Sequence, residues 1–369
     1  MNDLVSILIP AYNAERWIAD TIKSALEQTW PRKEIILVDD GSTDATLMIA
    51  REFSSPMVKV VGQEKRGAAA ARNHALALAQ GDYIQWLDAD DLLDVRKVEF
   101  QMAVAVKNGF SKGTLLSGPW GYFCYRTRTA RFQPTSLWCD LSPIEWCVRK
   151  FEYNAHMQTA TWLISRELTE LAGLWDTRLL SNDDGEYMAR VIKISDTIKF
   201  VPGAKVFYRI TAASRLSYVG QSKAKIEAQL LGLQLQMQHL LELENSERTR
   251  AACVQSLQTW FDNFYPERAD LMSRVEKMAN DLGGRLEPPT LNWKYLWVQK
   301  LFGWAAAKNV RLRYRRVKSA LLRYGDATLF YIDWRNRRST PICTQSHNSL
   351  NAAAFIGDGT GDCEEKLRP

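Results

Sequence analysis

The sequence predicts an α/β fold: a mixed, mostly parallel sheet flanked by helices, followed by a helical C-terminal extension. Over the first hundred residues, short apolar runs alternate with helical patterns of about ten residues, which is typical of βαβ units whose sheet is covered on both faces. Acidic turns follow two of the apolar runs, at the strand ends where parallel sheets bind their ligands. Beyond residue 220 the apolar spacing is helical.

The elements follow from these patterns in chain order. The first half is predicted to form strands at 5–9, 34–38, 58–61 and 83–87, and helices at 14–28, 43–53 and 68–79. The next hundred residues are predicted to form strands at 115–125, 159–165 and 197–209, and helices at 142–150 and 184–194. Helices are then expected at 222–264 and 293–324.

Composition shifts divide the chain into segments. We predict a domain at 1–215 with two halves, 1–110 and 111–215. We expect a helical extension at 216–265, a polar linker at 266–292 that holds a double proline, a basic aromatic helical segment at 293–338 and a disordered tail at 339–369.

Size and composition exclude several classes of protein. The 369 residues are 46% hydrophobic and 24% charged, as in ordinary globular proteins. The six cysteines and four histidines are dispersed, so neither a zinc site nor a disulfide framework is expected, and a reducing compartment is favoured. The N-terminus does not resemble a signal peptide and no apolar run is long enough to span a bilayer, so we expect a cytoplasmic protein, soluble or peripheral on the inner face of the membrane.

Carboxylates follow the predicted strand at 83–87. In an extended segment alternate side chains share a face, so Asp88 and Asp90 can point the same way. Two convergent carboxylates suit a hard cation such as Mg²⁺ or Mn²⁺, and the phosphates of a substrate usually complete its ligand shell. This pattern indicates a nucleoside-diphosphate donor. Asp91 is the member of the cluster that could instead cap a helix beginning at Leu92.

Several segments, in this order, resemble the family 2 glycosyltransferases, which are inverting enzymes of the GT-A fold. They are VSILIPAYN at 5–13, VDDGSTD at 38–44, RGAAAARN at 66–73, GDYIQWLDADD at 81–91 and NDDGEY at 182–187. Each segment alone is weak evidence, whereas their order and their placement at strand ends are specific. The resemblance covers roughly residues 4–210 and assigns nothing beyond residue 220.

The resemblance implies a role for each matching position. The donor, a UDP- or GDP-sugar, would be held by Pro10, Ala11, Tyr12, Asn13, Asp40, Gly67, Arg72, Asp88 and Ala89 in the first half of the domain. Asp90 would ligate Mn²⁺ or Mg²⁺ together with Asp88, and Asp184 would be the general base that deprotonates an acceptor hydroxyl.

Structural alternatives stay open at several of these positions. Asn13 could cap the following helix, and Arg72 could form a solvated face or a salt bridge. Alternation allows one of the pair 39–40 to face the site while the other forms the Asp-Gly turn. Asp183 could be a helix cap, and Asp183 or Glu186 could share the role of base.

The segment 293–324 combines aromatic side chains with basic ones. Nine Lys or Arg residues and no acid occur between residues 288 and 325. Rings at the headgroup level and cations facing anionic lipid are typical of an interfacial helix, so we expect an anionic membrane surface as a partner. The alternatives are a helix packed on the catalytic domain and a basic patch for a negatively charged acceptor. No nucleic-acid-binding module is recognisable, so nucleic acid is not expected.

The predicted function is therefore metal-dependent transfer of one sugar to a saccharide or lipid-linked acceptor, in the assembly of cell-surface polysaccharide or lipopolysaccharide. A sugar-nucleotide pyrophosphorylase would carry G-x-G-T-R after strand one, and a dinucleotide-dependent oxidoreductase would carry G-x-G-x-x-G, whereas this chain has Pro-Ala-Tyr-Asn. The remaining alternative is a catalytically degenerate transferase that acts as a binding or scaffold subunit.

Overall fold

The computed structural model describes residues 3–107, 112–210, 222–266 and 268–339. Within these ranges, the chain up to Ala327 forms one compact unit and Thr328 begins a second. The predicted tail at 339–369 lies outside the described residues from 340 onward.

Strands and helices are interspersed up to Arg209, and only helices follow in the described residues. The strands are β1 Val5–Ala11, β2 Lys33–Asp40, β3 Val58–Gln63, β4 Tyr83–Trp86, β5 Leu92–Leu93, β6 Thr114–Ser117, β7 Trp120–Phe123, β8 Arg131–Phe132, β9 Ile164–Ser165, β10 Thr197–Phe200 and β11 Val206–Arg209. The helices are α1 Ile18–Leu26, α2 Thr46–Arg51, α3 Ala68–Leu78, α4 Lys97–Lys107, α5 Pro143–Glu152, α6 Arg166–Ala172, α7 Asp183–Ile194, α8 Lys223–Leu243, α9 Glu247–Phe264, α10 Ala269–Asp281 and α11 Trp293–Ser339.

The main sheet confirms the predicted fold class. Its order is β3-β2-β1-β4-β9, with the first four strands parallel and β9 antiparallel to β4. The apolar runs of β1 and β2 are buried because helices cover both faces of the sheet. In register, Ala11 pairs with Asp39 and Asp40 pairs with Gln63, so the carboxyl ends of these strands meet at one edge.

Smaller sheets complete the second half of the domain. β5, β11, β7 and β8 form a four-stranded sheet in that order, while β6 and β10 form a parallel pair. Leu93 of β5 pairs with Val206 of β11, which brings the end of β11 beside the acidic turn that follows β4.

Several boundaries predicted for the second half of the domain are wrong. The single strands predicted at 115–125 and 197–209 are each two strands, because turns interrupt them after Ser117 and Phe200. The strand predicted at 159–165 is a short 3₁₀ turn, Thr159–Thr161, followed by the two residues of β9. No helix begins at Leu92, which lies in β5, so a helix-capping role for Asp91 is also wrong.

The C-terminal helices differ from the prediction in two places. The helix predicted at 222–264 is divided into α8 and α9, since Ser246 and Thr249 form a capping box that starts a new helix. The linker predicted at 266–292 contains α10, whose apolar face at Leu271, Val275 and Ala279 is buried in the main core. Because α10 packs on that core, the segment does not separate two bodies.

The last helix, α11, is kinked at Gly303, whose φ of 79° lies outside the helical region. It packs on the preceding helices through Trp304, whose ring centroid lies 5.0 Å from that of Tyr265. Part of this segment is therefore packed on the helical extension, whereas the alternative was a helix packed on the catalytic domain. Among the described residues, no helix has the length and apolar character that crossing a membrane requires.

Candidate active site

The carboxyl edge of the main sheet gathers the acidic side chains that the sequence singled out. Asp88 follows β4, and its Oδ1 accepts a hydrogen bond from Arg72 of α3 at 3.0 Å. Asp183 begins α7, more than ninety residues further along the chain, and its Oδ2 lies 2.5 Å from the same guanidinium group. One arginine thus joins the sheet edge to the N-terminus of α7.

Arg72 occupies this position because it is buried among opposite charges. Its side chain is 8% exposed and its guanidinium carbon lies 4.4 Å from the ring centroid of Trp175. Burial disfavours the charged form, but the carboxylates of Asp183, Asp88 and Asp184 outweigh it and raise the pKa of Arg72. The salt-bridge alternative is realised here, while a contact of Arg72 with phosphate stays a prediction.

Aromatic rings form the floor beneath Arg72. The rings of Trp175 and Tyr187 are stacked with centroids 4.1 Å apart, and Trp86 of β4 packs edge-on against both. Asn73 fixes the backbone of Trp175 with two bonds, Nδ2 donating to the carbonyl at 2.9 Å and Oδ1 accepting from the amide at 2.8 Å. The loop before α7 is therefore bound directly to α3.

Asp40, at the end of β2, organises the turn that leads into α3. Its carboxylate accepts bonds at 2.8 Å from the side chain of Gln63 and from the backbone amides of Arg66 and Gly67. Gly67 has a φ of 95°, a conformation that favours glycine. Asp40 thus sets the N-terminus of α3, and its contact with a nucleotide base stays a prediction.

Asp39 and Asn13 hold neighbouring loops together. Asp39 accepts from the amide and the hydroxyl of Ser42, so this aspartate, as one alternative proposed, forms the turn after β2. Asn13 accepts from the amide of Thr43 at 2.9 Å, and its own amide donates to Ser42. Since α1 begins at Ile18, Asn13 does not cap that helix.

The remaining predicted donor positions lie at the same edge. Pro10 and Ala11 end β1, and the exposed Tyr12 follows them with its ring under Lys65, whose Nζ lies 4.0 Å from the ring centroid. Ala89 lies in the acidic turn, where its carbonyl accepts a bond from Thr21.

Arg209, at the end of β11, supports the acidic turn at residues 88–91. Its Nε donates to the carbonyl of Asp90 and its backbone amide donates to Oδ1 of Asp91, both at 2.8 Å. Asp91 is buried and also accepts from Gln158 at 2.6 Å. Asp91 therefore ties the turn to the rest of the domain.

The three acids at the start of α7 differ in their partners. Asp183 is paired with Arg72, and Glu186 with Arg190 through bonds of 2.7 and 2.9 Å. Burial raises the pKa of Glu186, but the nearby His239 and the bonds to Arg190 outweigh burial and lower it. Asp184 accepts from its neighbouring amide at 2.8 Å and weakly from Thr159 at 3.4 Å.

Lys150 and His156 are two titratable groups near Asp184. Burial lowers the pKa of Lys150, whereas the charge of Asp184 opposes that shift. Burial likewise lowers the pKa of His156, again opposed by Asp184. Asp184 thus has two titratable side chains in its surroundings.

The donor set at Asp88 and Asp90 fits a cation that brings phosphate ligands of its own. Among the described residues there is no cluster of three or more His, Cys, Asp or Glu side chains able to hold a metal ion. Mg²⁺ typically needs one or two protein carboxylates when substrate phosphates complete its shell. Asp88 and Asp90 supply that number of carboxylates, but they lie in a turn, in which the amide of Asp91 donates to the carbonyl of Asp88 at 3.1 Å, and not in the extended segment that the alternation assumed. Their joint binding of a cation stays a prediction.

The structure thus brings together the predicted residues of the sheet edge with Arg72 and the start of α7. Sequence reasoning missed Arg209, Trp175, Lys150 and His156. No motif identifies these residues, because Arg209 ends β11, Trp175 and His156 lie in loops and Lys150 lies on α5, all outside the matching segments.

Comparison with known proteins identifies the class of domain. Residues 6–154 match the family model of Glycosyl transferase family 2. The Escherichia coli UDP-Glc:alpha-D-GlcNAc-diphosphoundecaprenol beta-1,3-glucosyltransferase WfgD is 43% identical over 109 residues, which are 29% of this chain and 43% of that protein. The putative teichuronic acid biosynthesis glycosyltransferase TuaG of Bacillus subtilis (strain 168) is 45% identical over 102 residues, 27% of this chain and 40% of that protein.

Residues 6–154 are therefore similar to the family 2 glycosyltransferases, as the resemblance predicted. The chain spans less than half the length of these two curated relatives.

Solved structures agree on the fold. The crystal structure of S. aureus TarS 1-349 in complex with UDP has a TM-score of 0.56 at 17% identity and covers 76% of this chain and 88% of that chain. The complex of the same fragment with UDP-GlcNAc has a TM-score of 0.55 at 18% identity, with 76% and 89% covered. This likeness confirms the predicted GT-A-like arrangement.

Proposed function

We propose that this protein is a metal-dependent inverting glycosyltransferase. It moves one sugar from a nucleoside-diphosphate donor to a hydroxyl of a saccharide or lipid-linked acceptor, in the assembly of cell-surface polysaccharide or lipopolysaccharide at the cytoplasmic face of the membrane. The observation that carries the proposal is the ion-paired chain Asp88–Arg72–Asp183, which brings the acidic turn after β4 close to Asp184 at the start of α7.

The acidic turn and the start of α7 suit different halves of the reaction. Asp90 and Asp88 would hold Mn²⁺ or Mg²⁺, and the cation would supply Lewis-acid stabilisation of the leaving diphosphate. Arg72 offsets the negative charge of the nearby aspartates, so the site can accept an anionic donor. The loop set by Asp40 presents the N-terminus of α3, where backbone amides and the helix dipole favour phosphate.

Asp184 is the proposed general base. The acceptor oxygen attacks the anomeric carbon from the side opposite the diphosphate, so the new glycosidic bond forms as the bond to the phosphate oxygen breaks. Asp184 takes the proton of the acceptor hydroxyl, and the electron pair of the broken bond leaves with the nucleoside diphosphate. The in-line geometry inverts the anomeric configuration.

A donor panel followed by thermal unfolding tests the proposal. UDP-, GDP- and dTDP-sugars are each added with and without Mn²⁺, UDP-sugars first, because the TarS complexes hold UDP and UDP-GlcNAc and the name of WfgD includes UDP-Glc. A ligand at 100 times its Kd stabilises the native state by about 2.7 kcal/mol, so a binding donor raises Tm. We expect a Mn²⁺-dependent rise with one donor.

Asp90→Ala is the matched variant for this panel. It removes the proposed metal ligand, so we expect the Mn²⁺-dependent rise to disappear while Tm without donor changes little. An unchanged rise would remove Asp90 from the site. If the wild-type protein shows no rise with any donor, the proposal fails and the degenerate binding subunit becomes the better hypothesis.

A further inference from the structure

Up to Ala327, helix α11 has one side that is bonded to the rest of the first compact unit. Nζ of Lys308 donates to the carbonyls of Asn263 and Tyr265 at 2.8 and 2.7 Å. Asp326 accepts from Nε of Arg126 at 2.7 Å. Lys308 and Asp326 are separated by about five turns at 3.6 residues per turn, so both lie on the same face. This face of α11 is therefore the attached one.

The opposite face of α11 carries a stripe of exposed apolar side chains. Val310, Tyr314, Val317, Leu321 and Tyr324 are spaced alternately four and three residues apart, which keeps them on one face. At about 100° per residue, this face points roughly 160° away from the attached one. Exposure rises from 43% at Val310 to 76% at Tyr324. We call these five residues the 310–324 stripe.

Exposed aromatic residues also precede the kink at Gly303. Trp293, Trp297 and Phe302 are all more than half exposed. Such residues are costly to leave in water, and contiguous exposed apolar surface usually marks an interaction site. Indole and phenol rings favour the boundary between lipid and water.

The charges beside the stripe decide which partner fits. In the heptad defined by the stripe, Arg311 and Lys318 flank one side and Arg313 flanks the other. A second copy of this helix would place cations against cations across the seam, in either orientation. An anionic surface would instead neutralise them, and no acid occurs between residues 288 and 325 to oppose that attraction.

We propose that the 310–324 stripe is a docking surface for an anionic lipid bilayer. The stripe lies at the headgroup boundary with its flanking cations against the lipid charge, while Lys308 and Asp326 hold the helix to the enzyme. The inference goes beyond the proposed function, because no step of sugar transfer enters it.

Vesicle binding by the full chain tests the proposal. Sedimentation is compared for vesicles of phosphatidylglycerol mixed with phosphatidylcholine and for vesicles of phosphatidylcholine alone. The stripe variant is Leu321→Glu, and the matched control is Leu171→Glu in α6. Leu171 is 68% exposed and Leu321 is 67% exposed, so both changes place the same charge on an equally solvated site.

We expect the wild-type protein to sediment with anionic vesicles, less so as salt is raised and less with neutral ones. The stripe variant should lose at least about tenfold in partition coefficient, because it removes apolar contact and adds repulsion, while Leu171→Glu should bind like the wild type. Equal binding to neutral and anionic vesicles, or full binding by the stripe variant, would overturn the proposal.

Sedimentation velocity on the same proteins tests the competing partner, which is a second copy of this chain. A wild-type oligomer that the stripe variant dissociates, with vesicle binding unchanged, would identify a second copy of this chain as the occupant and overturn the lipid proposal. The donor panel is run on the stripe variant as well. A retained Mn²⁺-dependent rise in Tm then shows that loss of vesicle binding is independent of donor binding.

Discussion

Asp184 differs from the acids beside it in what its carboxylate already binds. Asp183 is paired with Arg72 and Glu186 with Arg190, so both carboxylates are committed to guanidinium groups. Asp184 accepts a bond from Thr159 at 3.4 Å, which is a weak contact. Of the three, Asp184 has the carboxylate with the fewest strong partners, which leaves it the most available to a bound hydroxyl.

We therefore predict that Asp184→Asn leaves donor affinity unchanged and lowers transfer by at least about 10²-fold, the usual effect of losing a general base. Calorimetric donor binding and donor hydrolysis with Mn²⁺ measure the two quantities separately. Asp176→Asn is the control, since Asp176 lies in the loop before α7 and pairs with Arg178 at the surface. Nearly normal turnover by Asp184→Asn would move the base to Asp183 or Glu186.

Arg209 acts on the acidic turn without belonging to any predicted motif. It is 2% exposed, and its guanidinium lies over the rings of Trp17 and Phe123 at 4.4 and 4.5 Å. Its bond to the carbonyl of Asp90 fixes the backbone from which the Asp90 carboxylate projects. Arg209 is thus a positioning residue.

Arg209→Met should weaken Mn²⁺-dependent donor binding by about tenfold, equivalent to the 1.4 kcal/mol typical of one lost hydrogen bond. Binding measured without Mn²⁺ should change less, because the change acts on the proposed metal ligand. Arg209→Lys, which keeps the charge and one donor, should recover part of the affinity. Equal losses with and without Mn²⁺ would show that Arg209 supports the fold and not the turn.

At the scale of elements, helix α7 is held in place by pairs that sequence patterns did not reveal. Glu186 bonds Arg190 on its own helix, and Arg190 also donates to the carbonyls of Ala172, at the end of α6, and Leu174, in the loop that follows. That loop carries Trp175, on which Arg72 lies. The bonds that hold α7 therefore also hold the loop beneath Arg72.

Glu186→Gln should lower the free energy of unfolding by about 2 kcal/mol, below the usual cost of breaking a buried pair because Arg190 is partly solvated. Urea unfolding measures the change. Glu145→Gln is the control, since Glu145 pairs with Arg149 at the same helical spacing but both groups are about one-third exposed. Similar losses in the two variants would show that Glu186 has no special role in holding α7.

The sequence predicted the elements whose stability is local and missed those that tertiary contacts create. The strands β1 and β2 were recognisable because burial on both faces of the sheet imposes a continuous apolar pattern. The two-residue strands β5 and β9 have no such pattern and exist because partner strands pair with them. The same holds in the site: motif residues were found, whereas Arg209 depends on the pairing of β11.

At the scale of the whole described unit, α11 is tied to the loop after β7. Asp326 accepts bonds from the backbone amides of Tyr125 and Arg126 at 2.9 and 3.3 Å, besides the one from the Arg126 side chain. The ring of Tyr125 packs edge-on against Trp17, 5.6 Å away. Trp17 in turn lies under Arg209, so the attachment of α11 reaches the support of the acidic turn.

Asp326→Asn should lower the free energy of unfolding by about 2 kcal/mol at neutral pH, as expected for bonds to a charged acceptor. Burial raises the pKa of Asp326, but the bonds from Tyr125 and Arg126 outweigh burial and lower it below 3.8. The stabilisation is therefore complete above the unfolded-state pKa and is lost as pH falls through the folded-state pKa. The difference between wild type and variant should thus be constant above about pH 5 and shrink toward pH 3.

Urea unfolding across this pH range and amide hydrogen exchange at Tyr125 and Arg126 check the prediction together. Exchange at both amides should become faster in Asp326→Asn, because their acceptor loses its charge. Asp270→Asn serves as the control, since Asp270 pairs with Arg268 in water and should alter neither measurement. If exchange at Tyr125 is unchanged while stability falls, Asp326 stabilises α11 itself and not its attachment to the catalytic domain.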